Sequence, residues 1–310
     1  MRLKSLVMAP PSTLRLAGAL GFAAALAGCA SGPPPPPGPG GFAGDRLELP
    51  AVEVRRFLLV DCRINGAGPF RLLVDSGARG LVLTTDAAAR AGVAVAAQSG
   101  AAGFAGQAAV LQAGGLRLER VPADLLPPAE LVRLHRLIGP CDGFLGLGVF
   151  RGFVLELDFA GARVALLRPA AARYPAWAMV AYAGERPVVP IQVCGRTERA
   201  LIDTGSNFFL ILPHFDSYPV RRLVAAAPGA HPGAFALDFA RSGELAGEVR
   251  VGPAAWRHPA VREQRLGEEA NLGLLAFADW KLAFEPAAHR IYFLPADAPP
   301  APAVLEAPPG

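Results

Sequence analysis

The sequence predicts an all-β chain built from two related halves, and three observations carry that expectation. Short apolar runs recur between Gly, Pro and Asn residues suited to turns. A set of residues in the first half returns in the second at a nearly constant spacing. Little of the chain has helical periodicity. With 310 residues, 52% hydrophobic and 18% charged, the chain can bury a core as one large domain or two small ones.

The N-terminus reads as a targeting segment. Arg2, Lys4 and Arg15 are basic, and Leu16 to Gly28 is apolar. This run is too short for a membrane-spanning helix, which needs roughly 20 apolar residues. It closes on Leu26-Ala27-Gly28-Cys29, which resembles a bacterial lipobox. That resemblance implies lipidation of Cys29 as the first mature residue. With Ala30 following rather than Asp, it also implies an outer-membrane lipoprotein facing the periplasm. The alternative is an ordinary secretory signal with an unmodified cysteine.

Loss of residues 1–28 removes Arg2, Lys4 and Arg15 and no acid, so the formal charge falls from +4 to about +1. Nothing then marks a nucleic-acid partner. Lysine occurs only as Lys4 and Lys281. Residues 30–44, with an unbroken Pro33 to Pro37, have the composition of a stiff spacer. The expected division is a signal peptide at 1–28, a Pro/Gly-rich linker at 29–50 and a first lobe at 51–168. A connection at 169–186, a second lobe at 187–295 and a disordered Pro/Ala-rich tail at 296–310 complete it.

The repeat is specific. Asp75 and Asp203 lie 128 positions apart, and Asp142-Gly143-Phe144-Leu145-Gly146 matches Glu269-Ala270-Asn271-Leu272-Gly273 at an offset of 127. That second offset also carries Phe150 onto Phe277, Phe153 onto Trp280, Asp158 onto Glu285 and Arg163 onto Arg290. Arg63-Ile64-Asn65-Gly66 aligns loosely with Gln192-Val193-Cys194-Gly195.

Taken in order, Phe57 to Val60 and Pro69 to Val74 are strands around the hairpin turn Asn65-Gly66. Leu81 to Leu83 is a strand, and Thr85 caps a short helix that Gly92 ends. Phe153 to Phe159 alternates as a strand, returning after Ala160-Gly161 as Arg163 to Leu167. Its counterpart runs from Lys281 to Phe284, turns at Pro286 to His289 and returns as Arg290 to Leu294.

Two apolar strands end on the same chemistry. Leu72-Leu73-Val74-Asp75-Ser76-Gly77 and Leu201-Ile202-Asp203-Thr204-Gly205-Ser206 each deliver a carboxylate, a hydroxyl residue and a glycine. This pattern resembles the aspartic protease family over about 240 residues, from the first strands to the last. The resemblance implies a bilobal acid-protease fold, made of two duplicated retropepsin-like β-barrel lobes fused into one pepsin-like chain. Fusion implies a monomer, since no second copy is needed to bring the second aspartate. Family members brace each loop with an apolar-apolar-Gly segment; Phe144-Leu145-Gly146 and Asn271-Leu272-Gly273 fill that place. Asn271 departs from the pattern by standing where an apolar residue is usual.

The resemblance implies peptide hydrolysis by a water activated between Asp75 and Asp203. Two carboxylates held close share one proton, so that one acts as base and the other as acid. Gly77 and Gly205 permit a sharp turn and close backbone approach. Ser76 and Thr204 can bond across the pair, and Ser206 can donate to its carboxylate where Ala78 cannot. No cofactor or metal is expected. The substrate would be a peptide or protein.

A flap is expected at Gln98 to Gly106, with Gly100, Gly103, Phe104 and Gly106 as its candidate residues, and a weaker counterpart around Pro228 to Gly233. A plain surface loop is the alternative. The five histidines have no metal-ligand spacing, and no Gly-x-Ser-x-Gly elbow occurs. Cys62, Cys141 and Cys194 permit one disulfide, but the sequence does not choose the pair; buried thiols are the default. Phe153 and Trp280 are expected in the core. A catalytically silent relative that binds peptides, or serves as an envelope scaffold, remains the second reading.

Overall fold

A computed structural model describes residues 38–95, 104–225, 241–264 and 268–297. The described chain is nearly all β and consistent with two lobes. In the first lobe, six strands close on themselves. Leu116–Leu126 pairs with Leu81–Thr84, then follow Gly143–Leu145, Ala67–Val74, Phe57–Ile64 and Phe104–Ala113, which pairs back onto Leu116–Leu126. Closure leaves no free edge among these six.

The second lobe repeats the path. Ala260–Glu263, Leu210–Leu212, Ala270–Gly273, Arg196–Asp203 and Val188–Val193 follow one another with the same parallel and antiparallel senses. Its long hairpin, however, is interrupted on both arms. Arg241–Leu245 and Glu248–Val251 form one arm, Ala254–Arg257 and Ala260–Glu263 the other. Pro259 supplies no N–H to a ladder, and a side chain at Gly247 would stand 2.4 Å from the Cys194 Sγ.

Between the lobes lies a six-stranded sheet. Val154–Asp158 pairs with Trp280–Glu285, so the hairpin that closes each half meets its copy side by side. Here the repeated charges have a purpose. Asp158 opposes Arg163 and Glu285 opposes Arg290, an equivalent cross-strand ion pair in each hairpin. Phe57, Phe70, Phe150, Phe277, Phe284 and Phe293 are fully buried, each contributing about 1.5–3 kcal/mol.

Two turns have the same form in each half. Asn65-Gly66 and Cys194-Gly195 both have positive φ at both central residues, 52° and 84° in one and 50° and 81° in the other.

Two expectations need correction, and one element is new. The helix Thr85–Arg90 is capped by Thr84, whose hydroxyl accepts from the Ala87 amide at 3.1 Å. The stretch 29–50, expected to be a Pro/Gly-rich linker, contains two strands. Gly38–Gly41 pairs with Leu116–Leu126 and Arg46–Leu49 with Arg163–Leu167, burying Phe42 and Leu49. A short helix, Val132–Ile138, was not foreseen. The tail from residue 298 onward lies outside the described residues.

Candidate active site

Asp203 is the last residue of strand Arg196–Asp203, and Asp75 directly follows strand Ala67–Val74. Both strands are central, flanked on each side by a paired neighbour. The three residues before each aspartate are buried, so the chain reaches the carboxylate on a stiff support.

A parallel strand braces each loop. The Asp75 amide donates to the Leu145 carbonyl at 3.0 Å, and the Gly146 and Gly148 amides donate to the Gly80 and Arg79 carbonyls at 2.9 and 2.7 Å. In the second lobe the Gly273 and Leu274 amides donate to the Phe209 and Ser206 carbonyls at 2.9 and 2.7 Å. Glycine is needed at both braces. A Cβ at Gly146 would lie 2.4 Å from the Ala78 oxygen, and one at Gly273 2.4 Å from the Phe208 oxygen.

Across the lobes, Ser76 and Thr204 exchange hydrogen bonds. The Ser76 amide donates to the Thr204 hydroxyl at 2.9 Å, and the Thr204 amide to the Ser76 hydroxyl at 3.0 Å. Each hydroxyl then donates to the strand beyond, Ser76 to the Ile202 carbonyl at 2.7 Å and Thr204 to the Val74 carbonyl at 2.9 Å. Both side chains are buried, so every donor and acceptor in this square has to be satisfied internally.

The glycines cross in the same way. A Cβ on Gly205 would stand 2.5 Å from the Asp75 Cγ, and one on Gly77 2.9 Å from Asp203 Oδ1. Each carboxylate therefore packs on the other lobe's glycine. At home, Gly77 donates its amide to Asp75 Oδ1 at 2.7 Å and Gly205 to Asp203 Oδ1 at 2.9 Å.

Both aspartates keep partial solvent contact, yet protein surrounds them closely enough for desolvation to be the largest influence on each. Burial, then the charge of Asp203, holds the Asp75 carboxyl well above the usual carboxylate range, against the Gly77 and Ala78 amides. Burial also raises Asp203, opposed by the Asn271 amide, the Gly205 amide, the bond from Asp75 and the Arg186 guanidinium. The bond between the two carboxyls raises Asp75 and lowers Asp203. Both carboxyls are raised together, as expected of a pair that shares one proton.

Sequence reasoning missed one member of the site. Asn271, 8% exposed, donates from Nδ2 to Asp203 Oδ2 at 2.6 Å. The signal was present at the departure from the brace pattern: a polar residue on an otherwise apolar buried strand needs a partner. Among the described residues the Ser206 hydroxyl is not a donor to Asp203; Ser206 serves the brace through its backbone carbonyl instead.

Of the flap residues, Gly100 and Gly103 lie outside the described residues, whereas Phe104 and Gly106 belong to the strand Phe104–Ala113. The expected counterpart around Pro228 to Gly233, and Cys29, also lie outside them. Cys62 and Cys141 are buried thiols and Cys194 is a half-buried one. Phe153 packs on Phe42 at 5.3 Å between ring centres, while half-buried Trp280 packs edge-on to Trp256 at 6.4 Å.

A family model described as Aspartyl protease matches residues 60–147. That stretch holds the Asp75 loop and the Phe144-Leu145-Gly146 brace, and it supports an aspartic-protease-like function. No curated protein matches the chain.

Proposed function

We propose that the chain is an aspartic endopeptidase that hydrolyses peptide bonds with a water activated between Asp75 and Asp203. One observation carries the reading. Two buried hydroxyls and two glycines, exchanged across the lobes, hold the two carboxylates against each other in a single chain. Such a dyad suits attack of water on an amide. Asp203, ionised, takes a proton from the water as its oxygen adds to the carbonyl carbon, while Asp75 gives its proton to the carbonyl oxygen. As the tetrahedral species collapses, Asp203 gives its proton to the departing amine and Asp75 takes one back from a hydroxyl of the gem-diol, which leaves the carboxylic acid and restores the dyad.

Because one chain supplies both carboxylates, the proposed enzyme works as a monomer on a peptide or protein substrate. The proposal includes a lipid anchor at Cys29, holding the body on the periplasmic side of the outer membrane. Cys29→Ala should abolish metabolic labelling with palmitate and move the protein from the membrane to the soluble fraction; retained labelling would remove the anchor from the account.

The peptidase reading is tested by exposing a peptide library to the protein across about pH 3 to 8, beside an Asp203→Asn variant. Cleavage that the variant lacks supports it. A well-folded wild type that cleaves nothing at any pH overturns it. The binding-only reading needs Asn271 to be a defect in the second brace. A side chain that donates directly to Asp203 does not favour it.

A further inference from the structure

Asn271 stands in strand Ala270–Gly273 opposite Leu201, two residues before Asp203. Its counterpart in the first lobe is Phe144, opposite Leu73 and two residues before Asp75. The two positions are equivalent by register, yet one offers an amide and the other a phenyl ring. A ring has no N–H to give Asp75, whereas Asn271 reaches Asp203 Oδ2 at 2.6 Å.

Core packing does not explain the amide. Asn271 is 8% exposed, and its Oδ1 is buried without a hydrogen-bond partner among the described residues. A buried acceptor left unpaired lowers stability, and an apolar side chain of similar size would avoid the loss. The orientation is informative as well. Nδ2 faces the carboxylate, and an N–H donor so close favours a charged acceptor. The opposite flip would set two oxygens against each other.

The surroundings add little competing charge. Arg186, just before strand Val188–Val193, and Asp75 are the charged or titratable groups among the leading influences on Asp203. Glu269 at the foot of Asn271's own strand is engaged by Arg186 at 3.2 Å and Arg199 at 2.9 Å. Asn271 makes a direct side-chain bond that Phe144, at the equivalent place in the first lobe, has no N–H to make.

We propose that Asn271 is a positioning residue that keeps Asp203 as the carboxylate and Asp75 as the acid, so fixing which lobe supplies the base. The inference deepens the peptidase reading and rests on it for its catalytic meaning. Loss of the amide makes the singly ionised dyad harder to form, so the acid limb of the pH profile moves to higher pH.

The test compares wild type with Asn271→Leu and with the smaller Asn271→Ala. Carboxyl-carbon NMR of aspartate-labelled protein follows each titration, and kcat/KM is measured over the same pH range. In wild type, the Asp203 carbon should show the ionised shift at a lower pH than Asp75, a result that needs no variant to fold. In both variants the first deprotonation and the acid limb should rise by about one pH unit. At a pH on that limb kcat/KM should fall about tenfold, mostly in kcat. Unchanged titrations and an unchanged limb, or a wild type in which Asp75 ionises first, overturn the proposal. A split titration that depends on Asn271 in a protein that cleaves nothing supports the role of Asn271 and sinks the peptidase reading alone.

Discussion

Ser76 and Thr204, 128 residues apart, each donate a backbone amide to the other's hydroxyl, at 2.9 and 3.0 Å. Because each hydroxyl also donates onward to the opposite lobe's strand, the two lobes are joined at the base of the dyad by a closed set of buried bonds.

Truncating either hydroxyl should therefore loosen both lobes. Thr204→Ala strands the Ser76 amide and the Val74 carbonyl, at about 1–3 kcal/mol for each buried group left unpaired. Ser76→Ala should behave alike, and Thr204→Ser should cost much less. Urea unfolding reads the stability change, and peptide cleavage reads the accompanying loss of dyad alignment. A wild-type midpoint in both alanine variants would show that the exchange does not support the site.

The crossed glycines predict an order of damage. A methyl at Gly205 would lie 2.5–2.6 Å from three atoms of the Asp75 carboxyl, while one at Gly77 would lie 2.9–3.1 Å from its three nearest carboxyl atoms. Gly205→Ala should therefore reduce kcat/KM by more than Gly77→Ala, with at least about a hundredfold loss expected for a displaced catalytic group. Equal activity in the two variants would contradict the packing.

Stability should follow the dyad's proton. The Asp75 carboxyl is raised on folding, so the folded state holds its proton more tightly than the unfolded chain does. Its contribution is fully present below the unfolded value of about 4 and is lost as pH rises through the raised folded value. Asp75→Asn removes that loss. The variant should gain melting temperature over wild type at neutral pH and gain little near pH 4, as read by thermal scans at both.

The inter-lobe sheet carries the opposite sign. Burial acts to raise Asp158, but the Arg163 hydrogen bond, the Gly161 amide and Lys281 outweigh it and hold the carboxyl below its usual range. Such a group stabilises the fold above its unfolded value and loses that contribution as pH falls through the folded one. Asp158→Asn should destabilise by about 1–3 kcal/mol at neutral pH, discounted because Arg163 is half-exposed. The cost should shrink at strongly acid pH.

Much of this was legible because the chemistry is local. A carboxylate, a hydroxyl and a glycine at the end of an apolar strand can be read from adjacent letters, and a fixed offset marks the copy. The repeated Asp158–Arg163 and Glu285–Arg290 pairs were visible as spacing, and only the hairpin register shows why they recur. Asn271 was noticed as an anomaly but not as a donor, because its partner lies 68 residues away in sequence, two places along the neighbouring parallel strand. Thr84 and Thr85 are equally good caps by type, and the end of strand Leu81–Thr84 decides between them. Arg46–Leu49 looked like spacer from its surroundings; its pairing partner, Arg163–Leu167, is over a hundred positions downstream.

The central claim is that Asp75 and Asp203 act as one unit, and a double-variant cycle tests it most directly. Peptide cleavage is measured for wild type, Asp75→Asn, Asp203→Asn and the double variant, with folding checked for each. The account predicts that either single change abolishes cleavage and that the double variant is no worse than the singles, since half a dyad has no function. Substantial activity in either single variant, or losses that multiply in the double, would show that the two carboxylates do not share one reaction.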